Sequence, residues 1–338
     1  MEGFIDTVNS VIWSNWLVYL CLGAGAYFTL ATLFLQIRCF PDMIRQLKSG
    51  ESSDQGISSF QSLMISLAGR VGVGNIAGVA TAIAFGGPGA VFWMWLVALL
   101  GSATSFIECC LAQIYKETDR DTGEYRGGPA YYIEKTYKHT AAKPFMLVYA
   151  IIFAVCMLLA TSYFLPGIQA NGVAAAVDNA WGVNVWISAT IMAIMLAFII
   201  IGGVKRIATF ASMVVPFMAG IYIIIAIVVL FANASQIPEV FGTIVRAAFD
   251  KEAAFSGMLG AAIMWGVKRG IYSNEAGQGT GPQSAAAAEV SHPAKQGFVQ
   301  AFAVYVDTLF VCSATAFIII STDMYKVFEG QSEDGALI

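Results

Sequence analysis

The chain has 338 residues, of which 58% are hydrophobic and 12% charged, and its mean hydropathy is +0.70. A soluble domain carries about 25% charged residues, so a water-soluble globule is excluded and a polytopic membrane protein is indicated. A net charge of −4, with Lys and Arg placed between apolar runs rather than along a helix face, offers no surface to nucleic acid.

In chain order, apolar runs predict helices over 14–38, 59–85, 89–115, 144–178, 184–203, 207–232, 254–289 and 297–321. The runs are continuous and rich in Leu, Ile, Ala and Met, unlike the alternating segments of a β-barrel, so the expected class is an all-α polytopic bundle. Residues Met1 to Asp6 carry no basic stretch, and the first run reads as a retained helix rather than a cleaved signal peptide. Cys21, Cys39, Cys109, Cys110, Cys156 and Cys312 form no CxxC pair and read as packing residues.

The basic residues set an expected topology. Arg38, Arg45, Lys48, Lys116, Arg120, Arg126, Lys135, Lys138, Lys143, Lys205, Arg206 and Lys295 fall in one set of loops; Arg246, Lys251 and Lys326 fall in the other. The positive-inside rule makes the first set cytoplasmic and, with eight spans, puts both termini outside. Arg70, Lys268 and Arg269 lie within apolar runs. They could snorkel, pair structurally with Glu108, Glu275 or Asp307, or take a gating or ligand role.

Two of these runs share a pattern. Arg70-Val71-Gly72-Val73-Gly74-Asn75-Ile76-Ala77-Gly78 and Arg269-Gly270-Ile271-Tyr272-Ser273-Asn274-Glu275-Ala276-Gly277 both read R-x4-N-x-A-G, and the following runs share Ser102-Ala103-Thr104-Ser105-Phe106 and Ser313-Ala314-Thr315-Ala316-Phe317. Five spans separate the copies, so the second runs in the opposite direction: an inverted repeat. Gly69, Gly72 and Gly74 make unwinding cheap in the first copy, and a matching break is expected within 266–277 of the second. Close helix packing is the alternative use of such glycines. Unwound backbone in hydrocarbon must line a protein-walled cavity; its carbonyls suit Na+ and its amides suit a carboxylate.

The segment from Arg269 through Ser273-Asn274-Glu275-Ala276-Gly277-Gln278-Gly279-Thr280-Gly281-Pro282, with Gly72-Val73-Gly74-Asn75-Ile76-Ala77-Gly78 and Gly86-Gly87-Pro88-Gly89-Ala90, resembles the alanine or glycine:cation symporter family, the sodium:alanine symporters. The likeness extends over essentially the whole chain. Tyr272 stands where the family usually has Phe, and Gly281 where it usually has Ala.

The resemblance implies a leucine-transporter-like fold of two inverted five-helix repeats with discontinuous first helices. In one transmembrane domain over 1–338, the 14–38 helix would be an addition, 59–232 the first repeat and 254–321 the first two helices of the second. The remainder would be absent, as in a C-terminally truncated member. It also implies that Val71, Gly72, Val73 and Gly74, with the Asn75 side chain, receive a substrate carboxylate and contribute Na+ ligands.

From the residues themselves, Asn75 and Asn274 are candidate Na+ ligands because hard cations prefer neutral and anionic oxygens, with helix–helix hydrogen bonding as the alternative. Gln169 and, less directly, Asn171 are candidate substrate contacts. Trp265 and Tyr272 would bracket the second break and restrict the pocket to a small side chain, or simply pack as aromatics. Asp307, mid-span, demands an ion or a base and could sense Na+ or H+ or neutralise Lys268 or Arg269. Glu108 could brace the second break by accepting its amides.

The expected function is secondary transport coupling Na+ to uptake of a small neutral amino acid, Ala or Gly, by alternating access in a prokaryotic inner membrane. Membrane lipid would be a further partner, and no organic cofactor is implied. H+ coupling, or a serine or D-amino-acid substrate, is the alternative on the same fold, and a non-transporting binding protein is a remote one. Enzymatic activity is not indicated: no HExxH or GxSxG occurs, and His139 and His292 lie in loops.

Overall fold

Capping chemistry sets where several helices begin. Ser58 and Gln61 form a reciprocal box, with Gln61 N–H donating to Ser58 Oγ at 3.2 Å and Ser58 N–H to Gln61 Oε1 at 2.9 Å. That starts the helix Ser59–Arg70 by satisfying amides a helix end leaves open. Asn184 caps Val185–Ile200 by accepting the Trp186 N–H at 2.9 Å. His292 accepts the Ala294 N–H at 3.1 Å ahead of Pro293, so the helix predicted from 297 begins at Pro293–Val304.

The computed structural model describes residues 2–48, 53, 55–249, 258–322 and 325. It is an all-helical bundle apart from a two-stranded hairpin, Glu117–Thr118 with Tyr125–Arg126. At its centre is Gly89–Tyr115, the helix predicted over 89–115. Packed against it are Met258–Asn274 and Pro293–Val304, the latter continuing through a π-helical segment Tyr305–Cys312 into Ser313–Ser321. Lys143–Leu159 and Leu165–Trp181, joined by a π-turn at Ala160–Phe164, lie outside this core with Val185–Ile200 and Gly203–Ala232. These outer helices expose Ile191, Phe198, Ile224, Val228 and Phe231, a distribution suited to hydrocarbon and unsuited to water.

Two expectations are corrected. The run 14–38 does not form one helix: Asn15–Ala31 ends before Leu33 and Phe34, both at positive φ, and Leu35–Arg38 and Phe40–Gln46 follow as short pieces. Eight full crossings are not found either. Among the described residues five helices are long and apolar enough to cross a membrane, or six when the bent pair Ser59–Arg70 and Gly74–Gly86 counts as one. Val185–Ile200 has 16 residues, short of the roughly 20 a simple crossing needs. Residues 254–257 of the seventh predicted span lie outside the described residues.

Close backbone approach holds the core together. A Cβ at Gly266 would collide with the carbonyl oxygen of Ala90, and one at Gly270 with Val97 Cγ1, so these glycines serve packing of Met258–Asn274 against the central helix. Gly266→Ala should therefore lower the stability of the detergent-solubilised protein by about 1–3 kcal/mol, the usual cost of overpacking. The readout is the unfolding midpoint; an unchanged midpoint would count against this packing.

Candidate functional site

The first break lies where the glycines predict it. Ser59–Arg70 ends at Val71, which is extended (φ −77, ψ 107), and the chain resumes as a π-turn at Gly74–Gly78 leading into Val79–Gly86, bent by 55° from the first half. The amides freed by the bend are claimed by side chains. Gly72 N–H donates to Asn75 Oδ1 at 2.7 Å, and Val73 N–H to Gln169 Oε1 at 2.9 Å across from Leu165–Trp181. Both bonds are needed because an unpaired amide away from water costs free energy of the order of a lost hydrogen bond.

The second break begins near the end of the expected window, 266–277. Met258–Asn274 is continuous through 266–274, because Gly266 and Gly270 are used for packing, and unwinding begins at Glu275. Glu275, Gly277 and Gly279 have φ of 54°, 84° and 87°, the left-handed region where glycine carries no Cβ penalty and where Glu is uncommon. Glu108 Oε1 accepts the Gly277 N–H at 3.1 Å, Thr280 Oγ1 donates to Glu275 Oε2 at 2.5 Å, and Asn274 Oδ1 accepts the Ala276 N–H at 3.0 Å. A short half-helix, Gly281–Ala286, follows. Trp265 and Tyr272 thus precede the second break on an intact helix and do not bracket it.

The two broken elements meet at a buried polar cluster. Asn75 Nδ2 donates to Asp307 Oδ1 at 2.6 Å and Ser273 Oγ at 3.1 Å, and lies 3.3 Å from Cys312 Sγ. Asp307 Oδ2 accepts from Ser273 Oγ at 2.9 Å and from Thr308 Oγ1 at 2.7 Å. Asp307 is 0% exposed. Every bond to its carboxylate comes from a neutral donor, and among the described residues no Lys, Arg or His nitrogen lies within 4 Å of it. A π-helix repeats every fifth residue, which brings Asp307 and Cys312 to the same face of Tyr305–Cys312.

Several expected site residues stand elsewhere. Asn274 is outside the Asp307 cluster; its oxygen is committed to Ala276 and its Nδ2 is buried without a partner. Asn75 turns its oxygen to the Gly72 N–H and its NH2 to Asp307. Asn171 is exposed and takes no part in the break. Asp307 does not neutralise Lys268 or Arg269. These two instead line a cavity of about 280 Å³ with Trp13, Trp265 and Tyr272. There Trp265 stacks on Phe85 at 4.8 Å, and Arg269 sits 5.3 Å from the Trp265 ring. The Tyr272 ring is 3.3 Å from where a Cβ on Gly74 would stand, so the cavity wall is also the wall of the first break.

Arg70 is buried to 2% exposure. It donates to the Gln300 carbonyl at 3.4 Å, while its Nε and Nη2 have no hydrogen-bond partner.

Ser273, Thr308 and Cys312 were not singled out from sequence, where a lone Ser or Cys in an apolar run carries little signal. Ser59, Ser62 and Ser66 at helical spacing, facing Gln296 and Gln300, were a legible stripe. They build a polar layer with Ser284, whose Oγ is 2.6 Å from that of Ser66.

The fold and site define a polytopic helical membrane protein organised around two broken helices that enclose a buried carboxylate. The chain belongs to the sodium:alanine symporter family, whose profile matches residues 1–337, a family of transporters and not of enzymes. It is 54% identical over 338 residues to YrbD of Bacillus subtilis (strain 168), provisionally named a sodium/proton-dependent alanine carrier, covering all of this chain and 67% of YrbD. It is 47% identical over 327 residues to GlnT of the same organism, provisionally named a sodium/glutamine symporter (96% of this chain, 66% of GlnT). It is 41% identical over 333 residues to the sodium/alanine symporter AgcS of Methanococcus maripaludis (97% and 72%). The chain spans about two thirds of the length of the curated relatives it matches.

The cluster generates a non-additive expectation. Asn75→Leu strips a donor from Asp307 and an acceptor from Gly72 and should destabilise by about 3 kcal/mol or more. Adding Asp307→Leu should restore part of that loss, because the unpaired carboxylate is then gone. Strictly additive losses in a thermal-unfolding cycle would show that the two side chains are not coupled.

Proposed function

We propose that this protein carries a small neutral amino acid across the membrane in symport with Na+, and that the cation seats on the Asp307 carboxylate. The observation that carries the reading is a fully buried Asp307 bonded only to neutral donors. An isolated carboxylate is expensive in a low-dielectric interior unless a cation or proton accompanies it. The oxygens of Asp307, Ser273 and Thr308 are hard donors of the kind Na+ prefers.

The amino-acid carboxylate docks on the amides of Gly72 and Val73 once Asn75 and Gln169 release them. Val73 and Gly74 flank that position and the Tyr272 ring stands against Gly74, which favours a substrate as small as Ala or Gly. Cation binding at Asp307 pulls on Asn75, and Asn75 holds Gly72, so ion and substrate act on one segment. That direct link is the differential contact that coupling requires.

We read the architecture as leucine-transporter-like, with inverted repeats carrying the two breaks and rocking by alternating access. The arginine- and lysine-rich loops are taken as cytoplasmic and the N-terminus as external in a prokaryotic inner membrane. The names of YrbD and AgcS support both the substrate and the ion. H+ is the second reading, favoured by the sodium/proton wording of the YrbD name and by the same carboxylate, which a proton would also neutralise.

Proteoliposomes of the full-length protein should accumulate alanine under an inward Na+ gradient and not under a choline gradient at equal pH. Asp307→Asn should remove the Na+ stimulation by about a hundredfold, as loss of a charge-assisted contact of roughly 3 kcal/mol does. Accumulation driven by a pH gradient alone would favour H+, and Na+-stimulated uptake retained in Asp307→Asn would exclude Asp307 as the seat.

A further inference from the structure

The two broken helices are joined to each other a second time, on the face that carries the basic loops. The strand of chain leading into Ser59–Arg70 lies parallel to the strand leaving Gly281–Ala286: Ile57 N–H donates to the Ala287 carbonyl at 3.0 Å, and Glu289 N–H to the Ile57 carbonyl at 2.8 Å. Ser53 Oγ donates to Glu289 Oε2 at 3.0 Å beside this bridge.

A third segment clamps the bridge from outside. The hairpin that follows the central helix reaches back over it, and Tyr125 N–H donates to the Gln55 carbonyl at 2.9 Å. The Tyr125 hydroxyl donates to Gln55 Oε1 at 3.1 Å. The Tyr125 ring lies so close to Gly56 that a Cβ there would stand 2.9 Å from Cδ2 and 3.0 Å from the Ala287 carbonyl. Lys116 Nζ sits 3.7 Å above the centre of the same ring and donates to the Ala288 carbonyl at 2.7 Å. One turn earlier, Gln113 Nε2 donates to the carbonyls of Ala285 and Ala288.

The hairpin is itself braced. Arg126 pairs with Glu117 at 3.2 Å and with Asp119, and Lys135 pairs with Glu117 at 3.0 Å. The amides of Asp121 and Thr122 hold the Asp119 carboxyl below the usual carboxylate range, with Arg126 adding to them. Lys135 and Arg126 do the same for Glu117.

We propose that the hairpin 117–126 is a latch on the basic face, with Tyr125 as the positioning residue that keeps the ends of the two broken helices together. Ser62 and Ser66 on one of these half-helices and Ser284 on the other meet, with Gln300, in the buried polar layer. Separating the two half-helices on this side requires parting Ile57 from Ala287 and unseating the Tyr125 ring. The inference rests on the alternating-access reading above, in which this face must open once per cycle.

The test reads opening without transport. Ser284→Cys is placed in an otherwise cysteine-free full-length protein in vesicles, with neither alanine nor Na+, and the rate of labelling by a membrane-impermeant maleimide from the basic face is measured. Tyr125→Ala and, from the opposite side of the contact, Gly56→Ala should each raise that rate about tenfold, the population change equivalent to about 1.4 kcal/mol. Tyr125→Phe, which keeps the ring beneath Lys116, should stay near the parent rate.

Unchanged labelling in folded Tyr125→Ala and Gly56→Ala would overturn the latch. If Tyr125→Ala does not fold, Gly56→Ala decides alone. Because no substrate or driving ion is present, this outcome is separate from the uptake assay: a parent protein that fails to accumulate alanine sinks the symport reading, whatever the labelling shows.

Discussion

A backbone amide or carbonyl inside hydrocarbon must find a partner within the protein, and this requirement governs the centre of the molecule. Breaking a helix there frees several such groups at once. Asn75 and Gln169 take the amides of the first break, and Glu108 takes one from the second. Each of these side chains comes from a position that ties the break to another element: Gln169 to Leu165–Trp181, Glu108 to the central helix, and Asn75 to Asp307. The breaks are therefore where the bundle is most closely cross-connected, not where it is loosest.

The two breaks are satisfied differently, and the difference follows from glycine use. In the first copy Gly72 permits close seating of Gln169, and the bend is sharp and short. In the second copy Gly266 and Gly270 are occupied in packing, and the turn moves to Gly277 and Gly279. The matched Asn residues diverge accordingly. Asn75 links Gly72 to Asp307, whereas Asn274 closes a local turn on Ala276.

Much of this was legible in the sequence wherever composition and period carry the information. The central helix, the outer apolar helices and the first break follow from hydropathy and from three glycines beside Asn75. The family assignment rests on the Ser273-Asn274-Glu275-Ala276-Gly277 segment. The Asp307 cluster was half legible, since a mid-span carboxylate announces itself, but its partners Ser273, Thr308 and Cys312 come together only through the π-helical turn and the crossing of two helices. Where in the 266–277 window the second break begins was not legible, because a glycine in a helical pattern marks either packing or unwinding, and only the neighbours Ala90 and Val97 decide between them. The hairpin at Glu117–Arg126 was invisible to hydropathy because it is held by ion pairs within a polar loop and docks on Gln55, 70 residues earlier in the chain.

The widened turn at Tyr305–Cys312 has an evolutionary corollary. A π-helical turn takes up one residue more than the α-helical turn it replaces. Deleting a single amino acid there would therefore restore ordinary winding and leave Ser313–Ser321 close to its present phase, whereas a deletion from regular α-helix turns everything beyond it by about 100°. Trp95, whose indole donates to Ser313 Oγ at 2.8 Å, would keep its partner, as would Tyr222 opposite Thr315. What such a deletion would dismantle is the shared face of Asp307 and Cys312, so the length of that stretch is tied to the buried carboxylate and not to the helix beyond it.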